Sequence, residues 1–152
     1  MSGFRGIVAS VLIGCAASNA PAFAIQDLRG EAPATMGRSC GDSVPNRPRR
    51  LIVFSTPGCE PCRRQMRELR AATLPDELSI QHVIVGETSC NTARMESGSE
   101  SSLYVMDDSD AQAWGFHTSP TLIYIDGERA CRMAIGVVDS ATLPRLVARC
   151  EA

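Results

Sequence analysis

The sequence has 152 residues, the size of one domain, and 44% of them are apolar, which is enough for a hydrophobic core. The formal net charge of −2 is close to neutral and gives no sign of nucleic-acid binding. All 15 basic residues are arginine, so Schiff-base chemistry by a lysine is excluded.

Residues 1–24 have the parts of a secretory signal peptide. Arg5 supplies the positive charge, residues 6–17 are apolar, and Ala22-Phe23-Ala24 is a small-residue cleavage pattern. The apolar part is too short to span a membrane. The sequence therefore predicts export, with a mature chain that begins at Ile25 and enters an oxidising compartment such as the periplasm.

A second interpretation of the same segment stays open. Residues 12–15, Leu-Ile-Gly-Cys, resemble a bacterial lipobox, in which the cysteine is lipidated and becomes the N-terminus. In that case a lipid on Cys15 would anchor the protein to the membrane.

Residues 25–50 are rich in Gly, Pro, Ser and Arg and show little periodicity. This composition predicts an irregular, exposed N-terminal lead-in or a short edge strand. The folded domain is then expected over residues 51–152.

A CxxC motif lies between a predicted strand and a predicted helix. Residues 51–54 are a continuous apolar run, which is typical of a strand buried on both faces, and Thr56-Pro57-Gly58 ends it. A helix over about 60–72 follows, with Cys59 at its start and Cys62 on its apolar stripe.

This position predicts redox chemistry. The free N–H groups at a helix start favour a thiolate on Cys59, and the thiolate is the species that attacks a disulfide. Cys62, one turn further on and more buried, is placed to resolve the mixed disulfide. The structural alternatives are a permanent disulfide and half of a zinc site. A permanent disulfide over two residues would close almost no loop and so gain little stability from chain entropy. A zinc site would need a second pair of cysteines or histidines, and none follows at zinc-finger spacing.

The remaining elements follow from periodicity and turn residues. In chain order they are a strand over 79–85, a short helix near 92–97, a strand over 103–106, a helix capped by 107–110, a hairpin of 121–125 and 130–135, and a closing helix within 139–150. A right-handed crossover makes the first two strands parallel, and the hairpin adds an antiparallel edge. We therefore predict an α/β fold, with a mixed central sheet and helices on both faces.

The CxxC motif and the later Ser119-Pro120-Thr121 resemble the thioredoxin superfamily. That resemblance implies a thioredoxin-like fold with Cys59 as nucleophile and Cys62 as resolving thiol. It also implies that Pro120 follows a cis peptide bond and that the Ser119 backbone pairs with bound substrate. No cofactor is implied beyond the dithiol.

Within that superfamily the chain resembles extracytoplasmic proteins of the TlpA/ResA type, by residues 28–33, the segment before Pro120 and the Glu60-Pro61 dipeptide. The resemblance implies that exported protein disulfides are the substrates and that a membrane-bound donor supplies electrons. The carboxylate of Glu60 beside Cys59 disfavours the thiolate, which favours a reductant over an oxidant.

The cysteines outside the motif predict two structural disulfides. From Cys131 a strand runs about 16 Å, and the last helix returns about 15 Å to Cys150, so the two thiols meet at one end. Cys40–Cys90 follows by elimination.

Other interpretations remain open. The protein would instead be a disulfide oxidant or isomerase, a copper-binding assembly factor using Cys59, Cys62 and His117, or a non-catalytic module of a secretion or conjugation complex. The four arginines of the first helix form either a solvated face or a basic collar that favours the thiolate or an acidic partner: Arg63, Arg64, Arg67 and Arg70. His82 is expected to be a satisfied structural residue.

Overall fold

The computed structural model describes residues 23–33, 36–41, 47–87, 89–97 and 102–152. The predicted lipobox and nearly all of the predicted signal peptide lie outside the described residues. No helix within those ranges is both long and apolar enough to cross a membrane.

The described strands form one sheet. They are β1 Phe23–Glu31, β2 Arg38–Ser39, β3 Arg49–Ser55, β4 Ser79–Val85, β5 Ser102–Met106, β6 Thr121–Asp126 and β7 Arg129–Gly136. Their order across the sheet is β1-β7-β6-β3-β4-β5-β2. The helices are α1 Glu60–Ala71, α2 Cys90–Ser97, α3 Asp108–Ala113 and α4 Leu143–Glu151.

The sheet is mixed, as predicted. β3, β4 and β5 run parallel, whereas β6 is antiparallel to β3 and β7 to β6. The parallel pair β3 and β4 is connected through α1, because parallel neighbours need a crossover connection rather than a tight turn. The predicted α/β architecture with a mixed central sheet is therefore confirmed.

The hairpin of β6 and β7 is not the edge of the sheet, so that prediction is wrong. β1 pairs antiparallel with β7 from Phe23 to Glu31 and covers it. Of the two interpretations of residues 25–50, the edge strand applies to residues 25–31, because they belong to this nine-residue strand at the edge of the sheet. The segment carries little periodicity of its own, and the backbone groups of β7 supply the hydrogen-bond partners that make it a strand.

Alternating residues of β3 build a core on each side of the sheet. Leu51 and Val53 pack in a cluster with residues of α1 and α4. Ile52 and Phe54 pack on the opposite face, in the cluster that contains Trp114. Because both faces of β3 are buried, packing holds the end of this strand in place and thereby positions the loop that follows it.

Two disulfides lie outside the motif, and they are the pairs expected from the sequence, one from element lengths and the other by elimination. Cys131 in β7 is bonded to Cys150 in α4, with Cα atoms 5.8 Å apart. Cys40 is bonded to Cys90 at the start of α2, with Cα atoms 5.2 Å apart. The second bond attaches α2 to the chain just after β2.

Candidate functional site

The loop after β3 brings the dithiol to the start of α1. Gly58 has φ of 71°, a left-handed conformation that favours glycine, and a Cβ added at this position would meet no atom within 4 Å. Glycine at this position is therefore explained by backbone conformation rather than by lack of space. Cys59 is the N-cap residue of α1, and its Sγ accepts a hydrogen bond of 3.2 Å from the backbone N–H of Cys62.

The two cysteines are bonded to each other and differ in exposure. Cys62 is 3% exposed and lies on the buried side of α1 with Met66 and Leu69. Cys59 is only partly buried. A molecule that approaches the motif therefore meets Cys59 first.

The Ser119–Pro120 peptide bond is cis, as the superfamily resemblance implies. The Ser119 hydroxyl donates to Cys59 Sγ at 3.5 Å and lies 2.9 Å from the Thr56 hydroxyl. The loop before β6 therefore places a hydroxyl donor at the more exposed sulfur, where it favours negative charge.

Glu60 is fully exposed and paired with arginines of its own helix. Its carboxylate accepts from Arg63 Nε at 2.8 Å and lies 3.6 Å from Arg67. The hydrogen bond and charge of Arg63, followed by the charge of Arg67, lower the pKa of Glu60. The carboxylate is thus ionised, and it engages two of the cations that could otherwise favour a thiolate on Cys59.

A cleft of about 220 Å³ opens beside the dithiol. It lies between α1, the ends of β3 and β4, and α2. Its lining consists of Ser55, Thr56, Cys59, Cys62, Arg63, Met66, Arg67, Arg70, His82, Ile84, Glu96 and Ser97.

Glu96 in α2 holds one wall of this cleft against the motif. Its carboxylate accepts from the backbone N–H of Gly58 at 3.1 Å and lies 3.7 Å from Arg63. Sequence reasoning missed this residue, because α2 is short and polar and nothing local indicates which residue it approaches.

His117 does not belong to the cleft. It is exposed on the loop before β6 and is not among the residues that line the space beside Cys59 and Cys62. Within the described residues, no group of three or more His, Cys, Asp or Glu side chains has the arrangement of a metal site. The copper hypothesis therefore gains no geometric support from His117.

The structure also places two buried polar residues, Ser55 and His82, in the cleft. Their side chains are hydrogen-bonded to each other, and the distance between Ser55 Oγ and His82 Nε2 is 2.7 Å. Burial lowers the pKa of His82 to about 4. The sequence predicts a structural role for this histidine; only the folded structure shows that it lines the same cleft as the two cysteines.

The structure resembles solved structures of disulfide-exchange proteins. It superposes on a thiol-disulfide isomerase from Corynebacterium glutamicum with a TM-score of 0.62, 12% identity and coverage of 79% of this chain and 94% of that one. For a DsbF homologue from Corynebacterium diphtheriae the TM-score is 0.57 at 19% identity, with coverage of 82% of this chain and 85% of that one. For the thioredoxin domain of a thiol-disulfide oxidoreductase from Bacteroides vulgatus the TM-score is 0.54 at 19% identity, with coverage of 79% of this chain and 94% of that one.

No protein-family model matches the sequence, and no curated protein matches it either. At the identities of the solved structures, the likeness establishes a fold and no more. The predicted resemblance to thioredoxins is therefore confirmed at the level of the fold.

Proposed function

We propose that this chain, which has the thioredoxin fold, is a thiol-disulfide oxidoreductase whose reacting groups are Cys59 and Cys62. The observation that carries the proposal is the asymmetry of the pair. Cys59 is partly exposed at a helix N-terminus and receives hydrogen bonds from the Cys62 N–H and the Ser119 hydroxyl, whereas Cys62 is shielded beneath it. An exposed, stabilised thiolate attacks, and a shielded thiol resolves.

In the reducing direction, the Cys59 thiolate attacks one sulfur of a substrate disulfide. That disulfide breaks, the first substrate sulfur leaves as a thiolate and takes up a proton, and Cys59 is left in a mixed disulfide. Cys62 then loses its proton and attacks Cys59 Sγ, so that the second substrate thiolate leaves and is protonated. Two electrons have passed to the substrate, and the Cys59–Cys62 disulfide remains.

Reduction is favoured over oxidation by the surroundings of Glu60. Its negative charge lies next to Cys59 in the sequence, and it is paired with Arg63 and Arg67. The charge of Glu60 and its ion pairs with the two arginines both make the Cys59 thiolate less stable than it would be at a helix start with unpaired arginines. A less stable thiolate makes a better reductant. A reduction potential near or below about −230 mV is expected; a value near about −120 mV would make the protein an oxidant.

We further propose that the protein works outside the cytoplasm on exported protein disulfides, with the Ser119 backbone beside Pro120 pairing with the substrate. Residues 1–24 support export, and an oxidising compartment would require a membrane-bound donor of electrons to regenerate the dithiol. Intact mass of the exported protein tests this. A chain that starts at Ile25 supports soluble export, and a diacylglyceryl group on Cys15 would show membrane anchoring instead.

The oxidoreductase activity is tested by reduction of insulin disulfides with glutathione as the electron source. The parent protein should accelerate the reaction, and Cys59→Ser and Cys62→Ser should each abolish the acceleration. A Cys131→Ala/Cys150→Ala double variant is the matched control, because it removes a disulfide that does not line the cleft. No acceleration by the parent protein would reject the proposal and favour a non-catalytic interaction module.

A further inference from the structure

His82 is a buried titratable residue that the exchange steps above do not use. It is 3% exposed, and its Nε2 lies 2.7 Å from the Ser55 hydroxyl. Its other ring nitrogen, Nδ1, is buried and has no hydrogen-bond partner among the described residues. His82 and Ser55 both line the cleft that Cys62 lines.

The strand register explains why these residues meet. β3 and β4 pair in parallel, with Val53 opposite His82 and Ser55 opposite Ile84. Side chains alternate between the faces of a strand, so Ser55 and His82 lie on the face that α1 covers, as Val53 does. Cys59 follows Ser55 by four residues in the chain, and Cys62 projects from α1 onto the same side.

The resolving step needs a proton acceptor in this cleft. Cys62 attacks only as a thiolate, and it is shielded from solvent, so its proton needs a nearby destination. The other titratable and charged groups of the cleft are Cys59, Cys62, Arg63, Arg67, Arg70 and Glu96.

These other groups are poor acceptors. Arginine side chains have hydrogen-bond donors and no acceptor. Glu96 already accepts from the Gly58 N–H and is paired with Arg63. His82 remains, and burial keeps the pKa of its ring at about 4 in the disulfide form, so the ring is neutral at physiological pH.

We propose that His82 accepts the proton of Cys62 during resolution of the mixed disulfide and passes it to the leaving substrate thiolate or to solvent, so that the ring is neutral again once the Cys59–Cys62 disulfide has formed. Ser55 orients the ring: with Nε2–H donating to Ser55 Oγ, Nδ1 keeps its lone pair and is the acceptor. The proton moves from Cys62 Sγ to Nδ1, the Cys62 thiolate forms the new bond to Cys59 Sγ, and the leaving substrate thiolate takes a proton from His82 or from solvent. This inference rests on the proposed oxidoreductase function.

One consequence is reciprocal coupling between His82 and the dithiol. A thiolate on Cys62 favours imidazolium on His82, and by linkage the imidazolium favours the thiolate. The protonation of His82 should therefore depend on the redox state of the motif. A histidine that only fills space would not show this dependence.

The first test compares the imidazole nitrogen resonances of the parent protein, oxidised and reduced, between pH 5 and pH 9. His117 is exposed and outside the cleft, so a His117→Gln variant assigns the two histidines and serves as the control. In the oxidised protein His82 should be the neutral Nε2–H tautomer throughout. In the reduced protein His82 should titrate together with a cysteine. Resonances of His82 that are identical in the oxidised and reduced protein would overturn the proposal.

The second test follows the resolving step directly. The reduced protein is mixed with oxidised glutathione, quenched with an alkylating agent and analysed by mass. His82→Gln should slow resolution about 10²-fold at pH 7, so that glutathionylated Cys59 accumulates, and the defect should shrink at high pH, where hydroxide removes the Cys62 proton. His117→Gln should behave like the parent.

The two hypotheses fail differently. Resolution in His82→Gln at the parent rate across the pH range would overturn the role of His82 and leave the oxidoreductase function standing. If the parent protein never reacts with oxidised glutathione or insulin, the oxidoreductase function fails. The resonance comparison would still decide whether His82 is coupled to the dithiol.

Discussion

At the scale of single residues, the two sulfurs of one motif have different surroundings because they occupy different places on one helix. Cys59 caps α1 and receives hydrogen bonds from backbone and side chain, whereas Cys62 faces the core with Met66. The helix start stabilises charge on the first sulfur, and the hydrophobic stripe shields the second. Neighbouring side chains then adjust how strongly charge on Cys59 is favoured.

Glu60→Gln tests that adjustment. The change removes a negative charge beside Cys59 and breaks the ion pairs that Arg63 and Arg67 make with Glu60. The reduced form should become more stable, so the equilibrium with glutathione should shift roughly two- to threefold toward the dithiol, an effect limited by solvent screening. The measurement is a redox titration.

The matched control for this change is Glu77→Gln. Glu77 is also an exposed carboxylate paired with an arginine, at 3.0 Å from Arg49, but it does not line the cleft. Its substitution should leave the redox equilibrium unchanged. An unchanged equilibrium in Glu60→Gln, or an equal shift in both variants, would contradict the tuning role of Glu60.

His82 should make the oxidised protein sensitive to acid. Burial lowers its pKa from 6.5 to about 4 in the folded state. The unfolded chain therefore binds more protons between these two pH values, so stability is full above about pH 6.5 and falls as the pH approaches 4, by about 3 kcal/mol for this residue. Urea denaturation from pH 4 to pH 7 should show a smaller loss for His82→Gln than for the parent, and parallel curves would contradict the argument.

At the scale of elements, α1 is positioned by more than its apolar stripe. The fully buried side chain of Gln65 accepts from the Val138 N–H at 2.6 Å and donates to the Val138 carbonyl at 3.1 Å. The Glu68 carboxylate accepts from the Ser140 N–H at 2.9 Å. These contacts join the helix that carries the dithiol to the segment between β7 and α4, which fixes where Cys62 lies over the sheet.

Replacing Gln65 with leucine should be strongly destabilising. The substitution leaves the buried N–H and carbonyl of Val138 without partners, at about 1–3 kcal/mol for each group. Chemical denaturation should report a loss of about 2–5 kcal/mol in the free energy of unfolding. Gln112→Leu, an exposed position on α3, is the control and should have little effect; equal losses in the two variants would contradict the role assigned to Gln65.

At the scale of the whole molecule, local patterns predict most of the fold. The apolar run before the motif, the stripe of α1 and the turn residues of the β6–β7 hairpin each carry their own signal, and the structure contains all three elements. β1 is less predictable, because its strand conformation depends on pairing with β7, a distant part of the chain.

The candidate site is predictable only in part for the same reason. Cys59, Cys62 and Pro120 belong to short motifs that can be read directly. The approach of Glu96 to Gly58 and of His82 to Ser55 depends on packing of α2 and on the register of β3 with β4. No local pattern encodes such contacts between segments separated in sequence.

The central claim is that Cys59 attacks and Cys62 resolves, and trapping of mixed disulfides tests it most directly. The Cys62→Ser and Cys59→Ser variants are expressed in an exporting host, alkylated, and analysed on non-reducing gels with mass spectrometry of the linked peptides. The account predicts partner proteins disulfide-bonded to Cys59 in the Cys62→Ser variant and none in the Cys59→Ser variant. Partners bonded to Cys62 in the Cys59→Ser variant, with none on Cys59, would contradict it.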